Sequence, residues 1–150
     1  MKKNVLVALL LFLIMSLIIG CASPKEEPKT LEPEEIAEEE YQGFENEAIK
    51  IAKVFVVATQ GDKEKIKELS FSTLLKDIEQ KNWSIMLVEE IKIKPETFEA
   101  TTEKLGQKQV LIRLFYEGDM NMEGEIIPVK LSSKIGVIEQ DGKPVVFSAE

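Results

Sequence analysis

Near residue 85 the spacing of apolar side chains changes from three-and-four to two, and few folds satisfy both halves of such a chain. Tyr41, Phe44, Ala48, Ile51, Ala52, Phe55 and Ala58 recur at intervals of three and four, which makes one stripe along a helix. Val54, Val56 and Val57 carry apolar character around that helix, so its C-terminal half is expected to lie buried within a curved sheet. Pro33 suits a first turn. Glu34, Glu35, Glu38, Glu39 and Glu40 suit the positive end of the helix dipole. Gly43 costs about 1 kcal/mol relative to alanine inside a helix, and is expected to mark a kink or the start of the stable part. Gly61 reads as a stop signal and Asp62 as the cap of the next helix. Ile66, Leu69, Leu74, Leu75 and Ile78 form a second stripe. Ser70 and Ser72 divide it into two short helices, and Trp83 closes it.

Beyond Ile85 the pattern alternates. Ile91 and Ile93 interleave with Glu90, Lys92 and Lys94, and Phe98, Ala100 and Thr102 continue after an interruption at Pro95. Leu105 to Lys108 reads as a turn. Val110 to Tyr116 is apolar on both faces and is expected to be a central strand, followed by a bend from Glu117 to Glu123. Ile126 to Leu131 is a third strand, with Ile135 to Glu139 continuing or following it. Asp141-Gly142 is the strongest hairpin signal and leads into Val145 to Phe147. Helices first and an antiparallel meander of about four strands afterwards make an α+β domain, expected over residues 33–150.

Ahead of it, Lys2 and Lys3 precede an apolar run from Val5 to Ile19 that only Ser16 interrupts. The run has the length of an export-signal core and falls short of the roughly 20 apolar residues a spanning helix needs. It ends in Leu17-Ile18-Ile19-Gly20-Cys21, which resembles the lipobox of bacterial lipoproteins. The resemblance implies a signal peptide over residues 1–20, cleavage between Gly20 and Cys21, and a diacylglyceryl thioether on Cys21. It also implies a cell-envelope location, anchored to membrane lipid and facing outside the cytoplasm. Residues 21–32, with Pro24, Pro28 and four charged side chains among them before Leu31, read as a flexible tether.

Composition removes several chemistries. There is no histidine, so Ser–His–Asp and Cys–His mechanisms are excluded, and one cysteine allows no internal disulfide. Without Lys2 and Lys3 the remaining 130 residues carry 17 basic and 27 acidic side chains, a formal charge of −10. Such a surface repels phosphates, so nucleic acid is not an expected partner.

Two segments carry a further likeness: Ala48-Ile49-Lys50-Ile51-Ala52-Lys53-Val54-Phe55 followed by Gly61-Asp62-Lys63-Glu64-Lys65-Ile66, and the ending Val137 to Val146 around Asp141-Gly142. They resemble the nuclear transport factor 2-like (cystatin-like) superfamily, in particular its small lumazine-binding-like members. Pro144 stands where those members often have Trp. The resemblance implies a long N-terminal helix in the concave face of a strongly bent antiparallel sheet. It fixes no activity, because that superfamily hosts enzymes and non-enzymes.

Few residues suggest chemistry. Glu34 to Glu40 lack the spacing of a calcium loop. Asp62 is a cap first and a pocket acid second; Asp119 and Asp141 are turn residues. Met120 and Met122 offer soft sulfur, with no His or Cys beside them. Tyr41, Trp83 and Tyr116 read as core aromatics that could line a pocket. Arg113, the only arginine, sits within an apolar strand and must reach a carboxylate, a ligand or solvent. No cofactor or metal motif is present. The sequence therefore favours a non-enzymatic binding or interaction module whose partner is an envelope protein or a small ligand. The alternatives are a small isomerase or cyclase using Asp62 beside Arg113 or Tyr116, and a structural module that forms a homodimer.

Overall fold

In the computed structural model, the residues described are 33–83, 88 and 90–150, with side chains from residue 37 onward. Helix α1 (Pro33–Ala58) is followed by two short helices, α2 (Lys63–Leu69) and α3 (Ser72–Gln80). Four strands complete the unit: β1 (Ile91–Gly106), β2 (Gln109–Met122), β3 (Glu125–Gln140) and β4 (Lys143–Ala149). They form one antiparallel sheet in the order β1-β2-β3-β4. The helices cover one face of it.

The local signals act where the sequence places them. α1 starts at Pro33 and presents Tyr41, Phe44, Ala48, Ala52, Phe55 and Val56 to the core. It runs unbroken through Gly43, so the helix does not start there. A Cβ on Gly43 would meet nothing within 4 Å, so Gly43→Ala is expected to raise stability by about 0.5–1 kcal/mol, measured by denaturant unfolding. Asp62 caps α2, its side chain accepting a hydrogen bond from the Lys65 amide at 3.0 Å. The break between α2 and α3 is pinned to the sheet, because the Phe71 amide donates to the Val146 carbonyl at 2.7 Å. Asp141 and Gly142 both take positive φ, 52° and 75°, the conformation of a two-residue type I′ hairpin.

The sheet is open and flat, and this overturns the likeness to nuclear transport factor 2-like, cystatin-like and lumazine-binding-like domains, which need a strongly curved sheet. The physical reason lies in the central ladder. β2 and β3 pair without a slip from Gln109↔Ile138 to Met122↔Glu125, and a ladder without a bulge has nothing to bend it. The irregularities sit on the flanking ladders, at Lys94/Glu99 in β1 and at Gly136/Val137 beside β4. The residues read as a lipobox, including Gly20 and Cys21, and those read as a tether, 21–32, lie outside the described residues.

Three other expectations change. The bend expected over Glu117 to Glu123 is strand as far as Met122, and the chain turns at Glu123-Gly124. Gly118 is not a turn residue. It faces the core, where a Cβ would stand 2.7 Å from Ile91 Cγ2. The two segments of the third strand are one strand of 16 residues. Finally, Val54 is 42% exposed, so the C-terminal half of α1 is not enclosed on all sides.

Candidate functional site

β2 alternates cleanly. Val110, Ile112, Leu114 and Tyr116 face the helices and are buried, whereas Arg113 and Phe115 face out and are exposed. β2 is central, as expected, but among the described residues only one of its faces is covered. Because positions 113 and 116 lie on opposite faces of a strand, Arg113 and Tyr116 cannot work together. Asp62 is exposed at the start of α2. Asp62 lines neither the clefts at Tyr116 nor the one at Arg113.

Between α1 and the sheet lies a small cleft of about 130 Å³, lined by Phe55, Val56, Thr59, Tyr116, Ser133 and Ile135 among others. Its polar groups satisfy one another. The Tyr116 and Ser133 hydroxyls are 2.9 Å apart, and Thr59 Oγ1 donates to the Val56 carbonyl at 2.6 Å. Tyr116→Phe is expected to cost about 1 kcal/mol, and adding Ser133→Ala to it little more, since the two hydroxyls share one bond; a double-mutant cycle on unfolding free energy tests this.

The remaining candidates have structural partners. Lys104 Nζ lies 4.0 Å from the Tyr41 ring centroid and 3.5 Å from Glu38. Burial, then Glu45 and Glu38, push the Tyr41 phenol above its ordinary pKa. Thr102 Oγ1 donates to Glu45, so the N-terminal half of α1 is fastened to the far end of β1. Lys63 and Lys67 lie over the Trp83 ring at 5.6 and 5.9 Å. Asp119 holds the Lys94 ammonium at 2.7 Å, and this hydrogen bond raises the lysine pKa. Asp119 thus sits in a strand rather than a turn. Asp141 keeps the turn role expected of it. Among the described residues no group of three or more His, Cys, Asp or Glu is placed to hold a metal ion.

Two surfaces that sequence reasoning missed stand out. The first is the outer end of the β2–β3 hairpin. β1 begins at Ile91, opposite Met120, so among the described residues no strand pairs with Asn121 and Met122 on that side. β4 pairs only with Ile135 to Gln140 of β3, extended by the Lys134–Glu150 backbone bonds. Among the described residues, then, no strand pairs with the outer edge of β3 from Glu125 to Ser133. Here Met122 is 53% exposed, Ile126 68% and Ile127 37%. Met120 and Met122, weighed from the sequence as sulfur ligands, belong to this apolar end.

The second surface is a broken section of β1. The strand pairs at Lys94↔Glu117 and again at Glu99↔Phe115, and an open cleft of about 570 Å³ lies beside the break. Glu96, Glu99, Glu117, Phe115 and Lys130 are on its wall. The interruption at Pro95 was the only signal of it in the sequence. Among the described residues no helix is long and apolar enough to cross a membrane. No protein-family model, curated protein or solved structure matches the chain.

Proposed function

We propose that this chain is a non-enzymatic interaction module that grips a partner protein with the projecting end of its β2–β3 hairpin, while acyl chains on Cys21 hold it at the outer surface of a membrane. The membrane half of this reading rests on residues 2–21 alone. The interaction half rests on one observation: Ile126, Met122 and Ile127 are exposed beside a β3 edge with which no strand pairs among the described residues. An unpaired apolar edge is a template for another chain, and natural sheets blunt such edges unless they are used. Pro128 and Lys130 blunt this one only in part. Glu117, Glu123 and Glu125 flank the apolar end. The fitting partner therefore presents an extended apolar segment with basic side chains beside it.

A photo-crosslinking residue in place of Ile126, in the native host, is expected to give one discrete adduct larger than a dimer of this chain can explain. Met122→Asp should abolish it. An adduct of two copies of the chain assigns the edge to self-association, and no adduct removes the hairpin from the reading. Cys21→Ser is expected to move the protein to the soluble fraction; a variant that stays equally membrane-bound removes the anchor.

A further inference from the structure

The backbone of the β3 edge discriminates between the strands that could be added to it. An extended residue points its amide and carbonyl to one side of the strand, and its two neighbours point theirs to the other. Lys134 exchanges both bonds with Glu150, at 2.9 and 3.0 Å, so its groups face the β4 side. The Glu139 amide donates to the Lys108 carbonyl at 2.9 Å, so the odd-numbered positions face β2. The β2–β3 ladder has no slip from Glu125 to Ile138, and the alternation holds along it. Ile126, Pro128, Lys130 and Ser132 therefore direct their backbone groups to the outer edge, and all four residues are exposed. Among the described residues no strand bonds to them on that side. Ile126, Lys130 and Ser132 each bring an amide. Pro128 brings none, and the gap falls inside the row.

That gap acts more strongly on a second copy of this chain than on any other strand. A two-fold interface uses the same patch from both copies, so each defect in it occurs twice. The longest antiparallel pairing of two such edges sets Ile126 of each copy against Ser132 of the other, and Pro128 against Lys130. Both Lys130 carbonyls then lack a donor, on either side of a two-fold axis at Val129. The two Lys130 side chains also become diagonal neighbours on one face, roughly 7 Å apart, with like charges. Sliding the copies one way sets Pro128 on Pro128, and the central pair keeps no bond at all. Sliding them the other way drives Ile126 against Lys134, which Glu150 already holds. A strand of a different protein loses one bond at Pro128 and keeps those at Ile126, Lys130 and Ser132. We infer that Pro128 determines the specificity of this edge: it denies the edge to a second copy of the chain and leaves it to an extended apolar segment of another protein. The second clause rests on the proposed reading of the edge as a partner surface, whereas the exclusion of self-pairing is measured without any partner.

The test is Pro128→Val, which restores the missing amide. Position 128 faces away from β2, so the change removes no bond inside the sheet. The full chain, in an excess of density-matched non-ionic micelles, is followed by sedimentation equilibrium and by amide hydrogen exchange. The wild-type chain is expected to stay monomeric, with the amides of Ile126, Lys130 and Ser132 exchanging fast. Pro128→Val should self-associate roughly thirtyfold more tightly, equivalent to about 2 kcal/mol for two regained hydrogen bonds. Those three amides should gain protection as its concentration rises. Pro128→Val/Lys130→Pro moves the gap to the next outward position and should restore wild-type behaviour. Unchanged exchange across β2 will confirm that the variants fold. A monomeric Pro128→Val with unprotected edge amides overturns the inference. So does a wild-type chain that already pairs through this edge, or a double variant that associates as tightly as Pro128→Val. An associating Pro128→Val, together with no Ile126 adduct in the native host, removes the partner reading and leaves the exclusion of self-pairing in place.

Discussion

Phe55→Ala is expected to cost about 3–5 kcal/mol of stability, the range found when a fully buried phenyl group leaves a cavity. Phe55 is 1% exposed and packs in the one cluster that joins α1 to the sheet. It also lines the existing 130 Å³ cleft, so the removed ring would enlarge a void that its neighbours already fail to fill. Small domains have about 5–15 kcal/mol in total, so the variant should be marginal. Its melting temperature should fall by roughly 10–25 °C in a thermal scan followed by circular dichroism. Val54→Ala, one position earlier on the same helix, removes a side chain that is 42% exposed, and should cost well under half as much. Equal losses at the two positions would mean that the face of α1 assigned to the core is wrong.

Gly118→Val should cost about 3 kcal/mol, at the upper end of the range for overpacking. The site has almost no free volume. A Cβ there would lie 2.7 Å from Ile91 Cγ2, 3.1 Å from the Lys92 carbonyl oxygen and 3.5 Å from Leu131 Cδ1. Backbone cannot retreat as a side chain can, so the first turn of the ladder between β1 and β2 must separate. Hydrogen exchange should report this locally: the amides of Ile91 to Lys94 should lose protection before those of Val110 to Leu114. The smaller change Gly118→Ala tests the cause, because Ile91→Ala removes the nearest atom. The double variant Gly118→Ala/Ile91→Ala should therefore lose less than the two single losses added together. Strict additivity would show that the Ile91 contact does not explain the glycine.

Both expectations depend on contacts that adjacent residues do not reveal. Glu117-Gly118-Asp119 has the local composition of a turn, and only the Ile91 side chain above it explains why the middle position must be small while the strand continues. Leu111 and Phe115 gave β2 an apolar reading on both faces. The face that α1 covers is also tied at both ends, by α1 to Lys104 and Thr102 near one end of β1 and, just beyond α1, by Gln60 Nε2 donating to the Ile91 carbonyl at 2.6 Å. Asp62, by contrast, was legible as a cap, because a cap is a bond between a side chain and an amide three residues away. The cleft was almost silent: Glu96, Glu99 and Glu117 look like ordinary solvated strand positions until the ladder sets them around one exposed ring.

The sequence by itself determined the order of elements, the start of α1 at Pro33, the cap at Asp62, the division between α2 and α3, and the Asp141-Gly142 hairpin. Each of these depends on interactions within a few residues, and such interactions are the same in any fold. Tertiary structure alone decided that the sheet stays flat, that one face is left open, and that the β2–β3 hairpin runs beyond its neighbours. Those outcomes depend on register and relative strand length, which balance contacts between residues far apart in the chain. A side chain placed on the wrong face, or a strand ended too early, costs nothing that local patterning can detect.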